Sequence, residues 1–402
     1  MQRTIITLLA LLVLTTSVTA ADWRQFRGND GSGVAVDAAP PTLWSDTQNI
    51  AWKVDLPGRG LSGPIVIGDR VVVTASSGFA QDREHVLCFA AKDGRLRWHR
   101  QFWSTGRTMS HPKMCNATPT PASDGERIFA FYSSNDVICL DLDGDLQWFR
   151  GLNHDYPNVS NSLGMASSPI VAGDTLIVQA QNDSDSIAVG LDVATGANRW
   201  KLDRPILANW TSPIVVKGKT PDADVVLLLS SQGVTAVEPR SGRKVWEFAA
   251  ECGQIPSATT VNGIVYVPAG GLTAIEPPSG SDSAKVLWQS GRVRPITPSP
   301  LIYEERVYAI GSGGVITCAD ARSGEQLWQF RLKGGLYYAT PVAAGGHVYV
   351  FHEDGTAQVL KSGDRAELVG SHEFKEPILC TPAIAGNALY VRSDGHLWKI
   401  AQ

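Results

Sequence analysis

Two stretches of this sequence concentrate side chains able to carry acid–base, ligand or charge chemistry. Between Phe102 and Thr118 lie Arg107, His111, Lys113 and Cys115, and between Phe149 and Ala166 lie His154, Asp155, Tyr156 and Asn161. Shorter stretches add Arg204, Trp210, Arg292, Arg294, Tyr337 and Tyr338. Histidine titrates near neutral pH, which makes His111 and His154 candidates for acid–base work or metal binding. No compact ligand spacing accompanies them, so no metal site is expected. Arginine, tryptophan and tyrosine give much contact area per residue. On that ground Arg107, His111, His154, Tyr156, Arg204, Trp210, Arg292, Arg294, Tyr337 and Tyr338 are the candidates for a rim that recognises a peptide, an acidic group or a sugar ring. For each of them the competing reading is ordinary loop packing. No H-E-x-x-H, G-x-S-x-G or phosphate-binding glycine loop is present, and no catalytic set is named. Asp141-Leu142-Asp143-Gly144-Asp145 has the acidity of a calcium loop, but its glycine is misplaced for an EF-hand and it reads as a hairpin turn.

The elements that must position these residues repeat. A glycine followed four residues later by tryptophan recurs at Gly94/Trp98, Gly144/Trp148, Gly196/Trp200, Gly242/Trp246 and Gly324/Trp328, always behind a β-rich run. Each unit opens with a small or hydroxyl residue, usually before proline, as at Gly63-Pro64, Thr120-Pro121, Ser168-Pro169, Ser212-Pro213, Ser299-Pro300, Thr340-Pro341 and Thr381-Pro382, with Ser257-Ala258 the exception. A glycine turn and a β-branched run follow, the signature of a hairpin, and then a third strand and the strand ending in tryptophan. This spacing fits four-stranded blades. The last unit stops after its third strand, while Asn49–Leu56 carries Trp52 with no unit before it. We therefore expect an all-β, eight-bladed β-propeller of four-stranded antiparallel blades, closed by pairing of the N-terminal strand with the last blade. The slot near Glu367 is degenerate, having no tryptophan. The slot tryptophans read as packing between blades, and the unequal connections between units are where function is expected.

The start of the chain, with Arg3, an apolar run from Ile5 to Val18 and Val18-Thr19-Ala20, reads as a secretory leader over residues 1–20 cleaved after Ala20. Residues 21–48 form an N-terminal extension, and 49–402 a single propeller domain. No later run is long and apolar enough to span a membrane. The formal net charge of −4 without a basic tract argues against nucleic-acid binding. The six cysteines show no C-x-x-C pair or dense framework, and Cys88, Cys139 and Cys318 occupy equivalent strand positions as small buried residues.

Ser-Ser-Pro-Ile-Val-x-Gly-Asp at 167–174 and Ala-x-x-x-x-Gly-x-x-x-Trp at 319–328 resemble the repeats of quinoprotein-type (PQQ-repeat) propellers, across essentially the whole chain after the leader. That superfamily includes pyrroloquinoline-quinone alcohol dehydrogenases and the non-enzymatic outer-membrane assembly propellers of the BamB kind. Likeness to the dehydrogenases implies a quinone with calcium on the axis, held in many members beside a disulfide of adjacent cysteines. This sequence has no adjacent cysteines. Likeness to the assembly propellers implies a periplasmic scaffold that binds another protein, in a family whose members are commonly lipoproteins; here the residue directly after Ala20 is alanine, not the cysteine that would carry a lipid. The expectation is an exported, monomeric, non-catalytic scaffold, periplasmic or secreted, binding a protein or cell-envelope partner without a cofactor. The alternatives are a PQQ- and calcium-dependent alcohol or sugar dehydrogenase, and a propeller binding a small ligand or glycan at Trp210, Tyr337 and Tyr338.

Overall fold

A computed structural model describes residues 22–160, 163–278 and 283–402. The leader expected over residues 1–20 lies outside them, as does Asn161. Among the described residues the strands gather into eight sheets around a ring, so the fold is the eight-bladed propeller expected from the repeats. Blade 1 shows the pattern with Ile65–Ile67, Arg70–Ser77, Arg83–Ala90 and Leu96–Trp103, running from the axis outward. Its innermost strand is short and follows Pro64, whose missing N–H falls before the ladder begins. The middle strands are buried on both faces because neighbouring blades stack on them, and Val71, Val72, Val73 and Cys88 are fully enclosed. The fourth strand alternates, turning Trp98 inward and Arg97 and His99 outward.

A one-residue register shift interrupts the outermost ladder beside the tryptophan slot of every sheet. Such a bulge twists the strand and re-aims the side chain that follows. Here the aim is the next blade. The indole of Trp98 lies over Gly144, that of Trp148 over Gly196, that of Trp200 over Gly242 and that of Trp288 over Gly324, where an added Cβ would meet ring carbons at 2.4–2.7 Å. These glycines also hold positive φ, so both space and backbone conformation call for glycine. Each indole N–H then donates to a carbonyl of the same turn, Trp98 to Leu142 at 3.0 Å and Trp288 to Ala321 at 2.9 Å. The Gly-x-x-x-Trp signature thus pairs between units rather than within one. Cys88, Cys139 and Cys318 lie opposite the tryptophan of their own blade, buried as expected, and burial pushes each thiol up to about 12. All six cysteines are free thiols.

Ring closure follows the expectation. Ile50–Asp55 pairs antiparallel with His396–Ile400, giving the last blade its fourth strand, and Trp52 packs on Gly94 of blade 1 like the other slot tryptophans. The degenerate slot of blade 7 has a physical cause. Gly370 stands where the tryptophan would be, because a Cβ there would lie 2.2 Å from the Thr42 carbonyl oxygen. The extension runs across this position and supplies Trp44, whose ring lies 5.8 Å from His372 and 6.3 Å from Phe374.

The rest of the extension crosses the axis. Trp23 bridges to Val66 on the inner strand of blade 1, Arg27 donates to Thr259 Oγ1 and Ala258 O of blade 5, both at 2.7 Å, and Val34–Ala35 pairs parallel with the inner strand of blade 7. Fourteen residues from Asp22 to Ala35 thereby tie together opposite sides of the ring.

Candidate functional site

Antiparallel alternation assigns every loop to one of two faces. Turns between strands one and two, and three and four, form one face; hairpins between strands two and three, and the connections between blades, form the other. On the turn face, Arg70 joins Asp69 and Asp143 at 3.0 and 3.1 Å, Arg199 joins Asp174 and Asp192 at 2.8 and 2.6 Å, and Arg306 joins Asp364 at 2.6 Å. Asp141–Asp145 belongs to it as an ordinary turn, with Asp141 Oδ1 accepting from the Asp143 and Asp145 N–H groups. Asp22 sits here too, accepting from the Gly68 N–H at 2.7 Å.

The connection face is different. Phe79, Trp103, Met109, Ile206, Leu207, Ile255, Ile296 and Leu336 are all exposed on it, distributed over loops of the first seven blades. At its centre opens an axial cavity of about 330 Å³. Phe26 of the crossing segment lies at its base, Leu61, Met114, Leu163, Ile255 and Leu379 line its sides, and His111, Lys113, Trp210 and Tyr338 bring polar atoms to it.

A belt of hydroxyls surrounds this cavity, made by the residues that open each unit. Gly63 N–H donates to Thr120 Oγ1, Thr120 to Ser168, Ser168 to Ser212, Ser212 to Ser257, Ser257 to Ser299, Ser299 to Thr340 and Thr340 to Thr381, at 2.9–3.1 Å. At seven of the eight steps around the ring, a blade's hydroxyl thus accepts from the inner backbone of the blade before it. Gly63 has no side chain because a Cβ would come within 2.6 Å of the Thr381 carbonyl oxygen.

Of the candidates from sequence, His111, Trp210 and Tyr338 meet at the cavity. Trp210 is oriented by its N–H to Gly164 O at 2.9 Å, and Lys113 Nζ lies 5.8 Å from the Tyr338 ring centroid while pairing with Glu353 at 2.5 Å. Arg107, Arg292 and Arg294 are exposed on the same face. His154 lies on the short helix Leu152–Asp155, exposed, and Tyr156 just beyond it stacks under Lys201 at 5.9 Å. Tyr337 and Arg204 are built into the core. Tyr337 donates to Lys333 O at 3.1 Å and meets His352 edge-on. Arg204 bonds Thr235 Oγ1 and Leu228 O of blade 4, both at 3.1 Å. Phe26, the hydroxyl belt and the apolar loop tips are not among the residues expected from the sequence, because they lie in the extension, at the starts of the units and in loops without a repeated pattern. The belt's signal was present in the recurrent Ser or Thr before proline.

Calcium needs hard oxygen donors, chiefly carboxylates. None of the described residues lining the cavity is Asp or Glu, so these walls do not fit a calcium-bound quinone. Among the described residues no group of three or more His, Cys, Asp or Glu is placed to hold a metal.

Two polar networks lie in blades 1 and 2. Glu84 is fully enclosed, and its Oε1 and Asp136 Oδ2 both lie within hydrogen-bond reach of Ser134 Oγ, at 2.7 and 2.8 Å. One hydroxyl has one proton, so one carboxyl must donate. Burial, then the Asp136 charge, raise Glu84 to about 8, which identifies it as the protonated partner. Asp136 in turn accepts from the Thr105 N–H at 2.8 Å and pins the connection from blade 1 to blade 2. The folded protein therefore keeps a proton that the unfolded chain has already released above the ordinary carboxyl range. Stability should fall as pH rises from about 5 to about 8 and level off beyond. Glu84→Gln, which is neutral throughout, should flatten that slope in urea unfolding followed across the window.

In the second network Ser77 Oγ lies 2.7 Å from His85 Nε2, and His85 Nδ1 lies 2.9 Å from His99 Nε2. The order is that of nucleophile, base and orienter. Burial, then His99 and Arg83, lower His85 to about 4, too weak a base for work near neutrality, and a neutral imidazole cannot stabilise the imidazolium as a carboxylate does.

The eight-bladed ring of four-stranded blades is the fold implied by the PQQ-type repeats. The family profile described as "Outer membrane protein assembly factor BamB" matches residues 23–164, 158–251, 230–330, 268–368 and 312–402, and the chain belongs to that family. It is 23% identical over 359 residues to the outer membrane protein assembly factor BamB of Moranella endobia (strain PCIT), covering 85% of this chain and 84% of that protein. The crystal structure of BamB from Moraxella catarrhalis superposes with a TM-score of 0.66 at 17% identity, covering 88% of this chain and 97% of that one. A europium-containing methanol dehydrogenase superposes with a TM-score of 0.71 at 11% identity, covering 95% and 98%. At these identities the two structures share the fold with this chain, and the fold serves both binding and catalysis.

Proposed function

We propose that this protein is an exported, non-catalytic scaffold of the periplasm, without a quinone cofactor, that binds a protein partner of outer-membrane assembly through its connection face. The observation that carries this reading is the set of large apolar side chains exposed on the connection face together with the apolar axial cavity that opens on it, the kind of apolar exposure that marks an interaction site. Two further features agree. The cavity is suited to receive an apolar anchor, the arrangement in which a few central residues dominate binding. Asp22, the first described residue, is held on the opposite face by the Gly68 N–H. No helix among the described residues is long and apolar enough to cross a membrane.

The test uses Phe79→Asp, Trp103→Asp and Ile206→Asp, all at exposed positions where the fold has little to lose. Partner affinity, measured by pull-down from the native envelope and then with the purified partner, should fall by about 2 kcal/mol or more at the central contacts. Retained binding in the triple variant, with loss on charge reversal at the turn-face Arg240 and Arg322, would place the interface on the wrong face.

A further inference from the structure

The seven hydroxyls of the axial belt each accept a backbone N–H from the blade before, at 2.9–3.1 Å. A serine or threonine hydroxyl also has one proton to give. None of the seven gives it to an acceptor among the described residues, although all seven are buried and all line the axial cavity. O–H donors from Thr120 of blade 2 round to Thr381 of blade 8 are thus left to whatever occupies the axis.

Depth along the axis follows from the register. Leu61, Ile255 and Leu379 line the cavity two residues before Gly63, Ser257 and Thr381, on the side of the connection face. Three residues beyond the belt, Trp23 bridges to Val66 and Val34 pairs with Ala343, so the crossing segment closes the other end. An apolar collar therefore leads inward to a ring of donors.

Charge favours the same kind of guest. Arg27 and Arg392 are enclosed, and neither forms an ion pair among the described residues. Arg27 holds Ala258 O and Thr259 Oγ1, next in the chain to Ser257 of the belt. Arg392 meets the cavity wall through its carbonyl, which accepts from the Cys380 S–H at 3.0 Å, and Cys380 adjoins Thr381. Arg27 Nε and Arg392 Nη2 have no hydrogen-bond partner. Burial lowers the pKa of both, that of Arg27 to about 10, as expected of cations held without a full counter-charge. Asp30 offsets part of the Arg27 charge, and Asp394, which acts on Arg392, is itself paired with Arg59 at 3.0 Å.

Hydroxyl donors beside uncompensated cations suit an oxyanion, and the collar suits a hydrocarbon. The volume of about 330 Å³ is at the small end of ligand pockets, which run from about 300 to 1,000 Å³. We propose that the axial cavity binds a small carboxylate with an apolar body, its oxygens among the belt hydroxyls and its hydrocarbon against Leu61, Ile255 and Leu379. The site stands apart from the partner reading, because it is complete in the isolated chain.

Sodium octanoate is titrated into the isolated full chain, stripped of bound lipid, and followed by calorimetry beside octanol and acetate. One equivalent of octanoate should bind, with octanol weaker by about 10-fold or more, the effect of losing hydrogen bonds to a charged group. Acetate, which lacks the apolar body, should not bind at the same concentrations. Ile255→Trp, at an exposed collar position outside the belt, should block octanoate. Ser168→Ala should weaken octanoate by about 10-fold and change octanol little, and Ser168→Thr should restore it. The ratio of the two affinities, read within one variant, separates loss of a donor from loosening of the fold. Octanol binding as tightly as octanoate, a folded Ile255→Trp protein that binds like wild type, or no binding of octanoate would overturn the site, and each would leave the partner reading standing.

Discussion

Trp288→Ala should lower the free energy of unfolding by about 3–5 kcal/mol, the range for truncating a large buried aromatic. The magnitude follows from what the indole joins. Its face covers Gly324 of the next blade, its N–H donates to Ala321 O at 2.9 Å, and Tyr266 packs against it at 6.0 Å between centroids. Removing it opens a cavity between two blades and leaves the Ala321 carbonyl with the longer bond from the Tyr266 hydroxyl at 3.2 Å. The converse change, Gly324→Val, should also destabilise strongly. It adds a side chain 2.4 Å from the indole at a residue held at φ +71°, where a β-branched residue is strained even without the clash. Urea unfolding of both variants checks the account. A loss below about 1 kcal/mol for Trp288→Ala would mean that the blades are held together by something other than this pairing.

Arg392 is the second large effect, because it staples the last blade to the first. Its guanidinium is fully enclosed, with Nη1 donating to Ser62 Oγ at 2.7 Å and to the Thr74 carbonyl, and Nε donating to Ser393 O at 3.1 Å. Gly60 must lack a side chain to admit it, since a Cβ would sit 2.1 Å from Nη2. Arg392→Ala removes the packing and the hydrogen bonds together, and should cost about 3 kcal/mol or more. Burial lowers the pKa of this group, a sign that its charge is held at some cost. Arg392→Met, which keeps the volume and drops the charge, should therefore recover much of the loss. Equal losses for Ala and Met in urea unfolding would show that the hydrogen bonds, not the packing, carry the closure.

The fold was legible because its grammar is local and repeated. Pro64, the run Val71–Val73 and the Gly94 turn each name their strand or bend without reference to the rest of the chain. What the repeat could not convey was pairing across units. Gly144 and Trp148 are neighbours in sequence, yet Gly144 belongs to Trp98 in space. The absence of a tryptophan near Glu367 became intelligible once Thr42 was seen to occupy that place and Trp44 to fill it.

The site was less legible, because connections carry no period to say which side chains turn toward the axis. His111, Trp210 and Tyr338 do meet there, whereas Arg204 and Tyr337, similar in type and setting, serve the core. Phe26 lies in sequence far from the connections and reaches the cavity because the extension crosses the ring. The apolar tips Phe79, Ile206 and Ile296 carry no local pattern that separates them from interior residues, and their exposure is what gives the connection face its character.

The most direct measurement is a photo-crosslinking scan in the native envelope, with a benzophenone side chain placed singly at Phe79, Trp103 and Ile206 on the connection face and at Arg240 and Arg322 on the turn face. The account predicts adducts from the first three positions to a component of outer-membrane assembly, and none from the last two. Adducts confined to Arg240 and Arg322, or no adduct from the connection face, would contradict it.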